Sequence, residues 1–207
     1  ATLAVNVANG YPLGGILPLA IGSRLVGSDP AWIWQPFISF AAALLAMSLY
    51  AIARRILPSD GRAAAAALLG SQSALLYGFA QWGGVKEVVA AALLVLGAAA
   101  LDRPALRARA GLVPAMSFAA FLDVMSLAGA AWLVPLGLVA ALAARRAHLV
   151  RRALVLCALT ATLSVPALVE ADRFLRRDNI SSFRAGEELG NLVRPLPVRQ
   201  VLGIWPT

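Results

Sequence analysis

The sequence predicts an all-α fold, a polytopic transmembrane helical bundle with short or broken helices and an outer interfacial helix. Of the 207 residues, 60% are hydrophobic and 14% are charged, and the mean hydropathy is +0.78. A soluble domain has about 45–50% apolar and about 25% charged residues. This composition therefore argues against an ordinary soluble enzyme. The apolar content and the single cysteine also argue against intrinsic disorder and disulfide-rich scaffolds.

The positions of the basic residues predict the orientation of the helices. Ten of the 18 basic residues lie in three short turns, 54–62, 102–109 and 145–152, which hold only two acidic residues. Basic residues beside apolar runs remain on the cytoplasmic side of a membrane. No basic stretch has the interleaved aromatic residues or the fold of a nucleic-acid-binding protein. The net charge of +8 therefore indicates topology, and no nucleic-acid partner is expected.

The apolar runs divide residues 1–171 into the elements of a transmembrane domain. A helix needs about 20 mainly apolar residues to cross a bilayer. Because 87–101 is short, we expect a thinner bilayer or neighbouring protein at its ends. The predicted spans are 31–53, which runs inward, 63–80, which runs outward, 87–101, which returns, and 153–171, which leads outward again.

Residues 110–144 are an apolar run with basic turns at both ends, so the run must cross the membrane an even number of times. The run is too short for two full spans. It predicts two short helices, 110–122 and 126–144, that meet near Asp123 at or below the outer surface. Pro114 and Pro135, near the middle of the two halves, suit broken helices.

Two further segments are expected on the outer face. Residues 11–27 are apolar but contain glycine, proline and Arg24, which favours an interfacial helix over a span. Residues 172–207 contain nearly balanced acidic and basic side chains, a composition that translocation tolerates. We expect them to form an extracytoplasmic segment that leads into a further C-terminal region.

The stretch from Gln81 to Glu87 is the first candidate binding site, and the predicted topology places it outside. It has two glycines and Lys86 directly before an apolar helix. Glycines permit close backbone approach, and the first amides of a helix together with a lysine can bind phosphate. Glu87 could act on a sugar hydroxyl. The alternative is a tight turn in which Lys86 reaches the interface and Glu87 caps the helix.

Asp123 and Arg24 complete the set of candidate substrate-binding residues. An acid between two apolar helix halves indicates either a functional group, with Lys86 or Arg173 as partner, or a solvated turn. Arg24 suits either a donor phosphate or a lipid headgroup. With His148 as the single histidine and one cysteine, the sequence offers no metal-binding His/Cys cluster.

Several short motifs occur in order along the chain: Tyr11-Pro12-Leu13, Gly27-Ser28, 49–55 with its terminal Arg54-Arg55, Tyr77-Gly78, 84–87 and Gly203-Ile204-Trp205-Pro206. Together they resemble the early part of membrane glycosyltransferases of the GT-C superfamily, of the type found in actinobacteria. In that superfamily an outer helix opens with a Pro-Leu motif, and the span that follows ends in a pair of arginines.

The resemblance implies a multi-pass protein of the bacterial plasma membrane that transfers a sugar from a polyprenyl-phosphate donor on the extracytoplasmic face. It also implies a divalent cation. The family's catalytic acid lies in the first outer loop, which corresponds here to residues 1–10. That stretch holds Asn6 and Asn9 but no acid, so no catalytic residue is assigned. A non-catalytic membrane anchor or interaction module, and a transporter or flippase that uses 110–144 as a midplane site, remain open alternatives.

Overall fold

A computed structural model describes residues 12–72, 76, 78, 84–101, 111–143 and 147–176. Every regular element among them is helical, which confirms the all-α prediction for the described part of the chain. The elements are α1 (Leu17–Val26), α2 (Pro30–Ile56), α3 (Asp60–Ser71), α4 (Val85–Ala100), α5 (Leu112–Met125), a 3-10 helix (Ser126–Gly129), α6 (Ala130–Ala143), α7 (Ala147–Leu163) and α8 (Val165–Arg176).

A tight turn joins α1 to α2. Gly27 ends α1 with a φ of 69°, in the left-handed region that favours glycine. The Asp29 side chain then accepts a hydrogen bond of 2.8 Å from the Ala31 amide, and Pro30 is the first residue of α2. The interfacial helix predicted over 11–27 is thus helical from Leu17, and the span predicted over 31–53 extends to Ile56.

Among the described helices, α2 alone is long and apolar enough to cross a membrane as a single straight helix. The pair α7 and α8 passes the same test when its two parts are counted together, with a bend of 58° between them. By length and composition the described chain therefore has one candidate span, or two with the bent pair. Helix α2 fits an association with a membrane, but the count does not by itself establish a multi-pass bundle.

Two of the predicted spans are not single continuous helices in the structure. The helix predicted over 63–80 stops at Ser71, and residues 73–75, 77, 79 and 80 lie outside the described residues. At this end the Leu68 carbonyl accepts a 3.1 Å hydrogen bond from the Ser71 hydroxyl and another from the Gln72 amide. The span predicted over 153–171 is bent at Ser164. Pro166, two residues later, lacks an amide donor, and its ring crowds the preceding turn, which kinks a helix.

The broken helix pair predicted over 110–144 is present with a shifted break. The 3-10 helix separates α5 from α6, so that Asp123 lies inside the last turn of α5 instead of between the halves. Ser126 begins the break with φ 56° and ψ −155°, a strained conformation for a residue with a side chain. Pro114 lies in the first turn of α5, where a missing amide is tolerated, and not near its middle. Pro135 lies inside α6.

Helices α2 and α4 run parallel, and α5 runs antiparallel to α4. Ile38, early in α2, shares a buried cluster with Val88, early in α4, and with Val124, late in α5. At the opposite end, Arg55 donates a 2.6 Å hydrogen bond to the Ala99 carbonyl near the end of α4. The described helices therefore have two ends with different chemistry.

The helices bury small residues and expose large apolar ones. Ala63, Ala67 and Ser71 form a buried stripe on α3, and Gly97 of α4 lies against the Phe118 ring. Small residues of this kind let membrane helices approach closely. A surface with so many large apolar groups is unusual for a soluble monomer; the exposed residues include Trp32, Phe40, Met47, Leu69, Trp132 and Leu154.

Candidate binding site at the Gly14–Gly15 turn

A turn before α1 packs its backbone directly on the end of α5. The Gly14 amide donates a hydrogen bond of 3.3 Å to the Asp123 carbonyl. A Cβ atom at Gly14 would lie 2.5 Å from the Asp123 carbonyl carbon and 2.8 Å from the Val124 nitrogen. Those atoms are backbone and cannot rotate away. The contact therefore requires glycine.

The next residue of the turn packs against the start of α4. A Cβ atom at Gly15 would lie 3.1 Å from Lys86 Cγ and 3.3 Å from Lys86 Cα. The Gly14–Gly15 turn thus touches both Lys86 and the backbone of Asp123. Lys86 and Asp123 are therefore both in contact with one turn. The sequence gives both as candidate residues and gives Lys86 as a possible partner of Asp123.

Apolar packing beneath the turn holds these two residues in place. Val85, the neighbour of Lys86, is 3% exposed, and Val124, the neighbour of Asp123, is 1% exposed. Both belong to one buried cluster, so a shift of either polar residue would disturb the core. The cluster comprises Leu19, Ile38, Ala41, Val85, Val88, Val89, Ala90, Phe121 and Val124.

The polar groups at this end lie at the boundary of the core. Lys86, Glu87 and Asp123 are each half-buried. Gly84 occupies the N-cap of α4 and has no side chain to cap it, while Glu87 supplies an acid in the first turn. A helix start of this kind carries partial positive charge beside Lys86.

The other candidate residues are not brought to this turn. Arg24 is exposed in the last turn of α1, about 10 Å along the helix axis from Leu17 at 1.5 Å per residue. Gln81 lies outside the described residues. Arg173, the alternative predicted partner of Asp123, instead forms a 2.7 Å ion pair with Glu170 of its own helix.

No group of three or more His, Cys, Asp or Glu side chains that could hold a metal ion occurs within the described ranges. The described residues around Lys86 and Asp123 therefore do not form a recognisable metal-binding site. Asn6 and Asn9, in the loop where the family resemblance places a catalytic acid, lie outside the described residues. The divalent cation that the family resemblance implies therefore stays a prediction.

Comparison of the chain with protein-family models, curated proteins and solved structures finds no match.

Two structural contributions were missed at the level of sequence. In the sequence Gly14 and Gly15 indicate an interfacial segment, but in the structure they pack directly against the end of α5 and the start of α4. Paired glycines inside an apolar run are a signal of close backbone approach. The hydrogen bond from Arg55 to Ala99 joins residues far apart in the sequence, and no local pattern predicts it.

Proposed function

We propose that the chain is a multi-pass membrane unit. In this arrangement the arginine end, defined by Arg54, Arg55, Asp60 and Ala99, faces the cytoplasm. The glycine-turn end, defined by Gly14, Gly15, Lys86 and Asp123, faces the extracytoplasmic side. The parallel course of α2 and α4 and the antiparallel course of α5 support the proposal, because they separate these groups of residues to opposite ends.

Aromatic residues support the same orientation. Trp32 near the start of α2 and Trp132 just after the break between α5 and α6 are both exposed. Both lie towards the glycine-turn end, and tryptophan favours the membrane–water interface. The arginines at the other end fit the rule that basic residues stay in the cytoplasm. Helices α4 and α5 are short, and we expect the bilayer to thin around them.

Within this arrangement we propose that the glycine-turn end binds the phosphate of a polyprenyl-phosphate-linked sugar and that the protein transfers the sugar, as a glycosyltransferase does. The observation that carries the proposal is that one glycine turn touches both Lys86 and Asp123. A lysine ammonium beside a helix start suits a phosphate oxygen. The half-buried Asp123 carboxyl suits a hydrogen bond from a sugar hydroxyl.

The lipid part of such a donor also has a suitable surface. Leu17, Ile21 and Leu25 lie along one face of α1 and are exposed, since residues four apart share a helix face. An isoprenoid chain could lie along this stripe while its phosphate reaches Lys86. Arg24, exposed on the same helix, would then contact headgroups at the interface. The base that deprotonates the acceptor is not assigned among the described residues.

A second candidate function is transport, and the strained break between α5 and α6 favours it. Broken helices create binding sites in secondary transporters, and Ser126 has a strained backbone at this break. Transport needs the substrate to reach the opposite face unchanged, whereas transfer consumes the donor. The two functions are therefore distinguished by whether the sugar leaves its lipid carrier.

The decisive experiment incubates purified full-length protein in liposomes with radiolabelled polyprenyl-phosphate sugars and candidate acceptors. We expect labelled product, a large loss with Lys86→Gln, partial recovery with Lys86→Arg, and no change with Arg176→Gln, an exposed arginine that pairs with Asp172 of its own helix. We also expect polyprenyl phosphate to protect Lys86 from an amine-reactive reagent. Absence of both transfer and protection would overturn the proposal, and movement of intact donor across the bilayer would favour transport.

A further inference from the structure

An apolar groove lies between α2 and α3 at the arginine end of the described helices. Its volume is about 290 Å³, close to the lower limit of about 300 Å³ for small-molecule sites. Leu49, Ile52 and Ile56 form its α2 wall, and Ala66 and Ala67 form its α3 wall. The small alanine side chains leave the space between the helices unfilled.

The groove is elongated and open to the surroundings. Leu49, Ile52 and Ile56 repeat at the spacing of one helix face and extend about 10 Å along α2. Ile56 is 76% exposed, so water would contact apolar carbon along the groove. An extended hydrocarbon chain would cover this surface, and that contact is favourable because it removes apolar area from water.

Positive charge lies at the end of the groove. Arg62 is one turn before Ala66 on the same face of α3, and its exposed side chain has no hydrogen bond or ion pair with the described residues. Arg54 is paired with Asp60 at 2.6 Å. The Arg54–Asp60 pair is neutral as a whole, so the Arg62 guanidinium adds net positive charge at this end of the groove.

We propose that this groove binds one acyl chain of an anionic phospholipid, whose phosphate is held by Arg62 with Arg54 beside it. The apolar walls suit the chain, and the excess positive charge suits the headgroup, since basic pockets between helices on the cytoplasmic side bind anionic lipids. A second copy docked symmetrically in the groove would bring its own arginines against these, which disfavours that occupant. The proposal rests on the membrane orientation above, but not on sugar transfer.

The test compares phosphatidylglycerol with phosphatidylcholine bound to the full-length protein, purified in a neutral detergent and measured by native mass spectrometry. We expect the wild type to retain phosphatidylglycerol preferentially. Arg62→Gln should weaken that binding about five-fold, because a basic residue near anionic lipid contributes about 1 kcal/mol. Arg62→Lys should recover most of it, which separates a charge effect from a structural one.

A second pair of variants tests the groove itself. Ala66→Leu places a larger side chain in the groove and should reduce retention of phosphatidylglycerol, whereas Ala64→Leu, on an exposed position of the same helix outside the groove, should not. Equal retention of the two lipids by the wild type, or equal behaviour of the two leucine variants, would overturn the proposal. So would a change of oligomeric state with Ala66→Leu and unaltered lipid binding, because a second copy would then occupy the groove. A failed transfer assay would leave this result unaffected.

Discussion

At the arginine end of the described helices, long side chains bridge the gaps between elements, whereas at the glycine-turn end the backbones themselves touch. Arg55 reaches the Ala99 carbonyl, and Arg54 pairs with Asp60. By contrast, Gly14 meets the backbone of Asp123 with no side chain between them.

The two ends should therefore tolerate substitution differently. A bridge made by a flexible, partly exposed side chain can rearrange or be replaced by water when it is lost. Two backbones in contact cannot rearrange without moving whole helices, since the buried cluster beneath them is closely packed. We therefore expect a substitution in the backbone contact at the glycine-turn end to have a larger effect than one in a side-chain bridge at the arginine end.

Gly14→Ala should be the most damaging of these substitutions. The added Cβ would lie 2.5 Å from the Asp123 carbonyl carbon, so α5 or the turn must shift, at a cost of about 2–3 kcal/mol in the free energy of unfolding. Chemical unfolding in detergent micelles measures the loss. Gly61→Ala is the matched control, because nothing lies within 4 Å of its Cβ position, and it should be neutral or slightly stabilising. Equal stability of the two variants would contradict the backbone contact.

Arg55→Met should have the next largest effect. It removes the guanidinium that donates a 2.6 Å hydrogen bond to the Ala99 carbonyl, but keeps an unbranched apolar side chain in place of the aliphatic part of the arginine. We expect a loss of about 1–2 kcal/mol in the free energy of unfolding, measured in the same micelles. Arg62→Met, on an exposed neighbour without a partner among the described residues, should change stability by less than about 0.5 kcal/mol. A comparable loss in both variants would show that the bond to Ala99 contributes nothing.

Asp60→Asn should have the smallest effect. The ion pair with Arg54 is short, at 2.6 Å, but the Asp60 side chain is 76% exposed. Exposed pairs contribute about 0.2–1 kcal/mol, and salt screens them. The difference in stability between wild type and variant should therefore disappear in about 1 M NaCl, where the screening length is about 3 Å. Ser59→Ala, which removes the N-cap of α3, is the comparison, because its effect should persist at high salt. A salt-independent Asp60→Asn effect would point to a helix-start contribution instead of the ion pair.

Much of the helical pattern could be predicted from the sequence, while several helix ends could not. The long apolar run of α2 ends at basic residues as expected, because composition determines where such a helix can run. The end of α3 at Ser71 and the bend at Ser164 depend on single small or polar residues and on Pro166. When hydropathy is averaged over a stretch of about 20 residues, single residues of this kind barely change the mean.

The candidate site shows the same division. In the sequence Lys86 is a candidate because it follows two glycines at the start of an apolar helix. Asp123 is a candidate because it is an acid between two apolar helix halves, where a charge is costly. The Gly14–Gly15 contact between them was not predicted. It depends on which helices become neighbours, and that is a property of long-range packing.

The sequence alone determined that this chain is helical and strongly apolar, because composition and residue spacing act locally along the chain. The tertiary structure decided which ends of the helices meet, where α5 breaks from α6, and that a pair of glycines joins Lys86 to Asp123. Those outcomes depend on how closely distant backbones can approach, and steric fit between distant segments is not encoded in any local stretch of sequence.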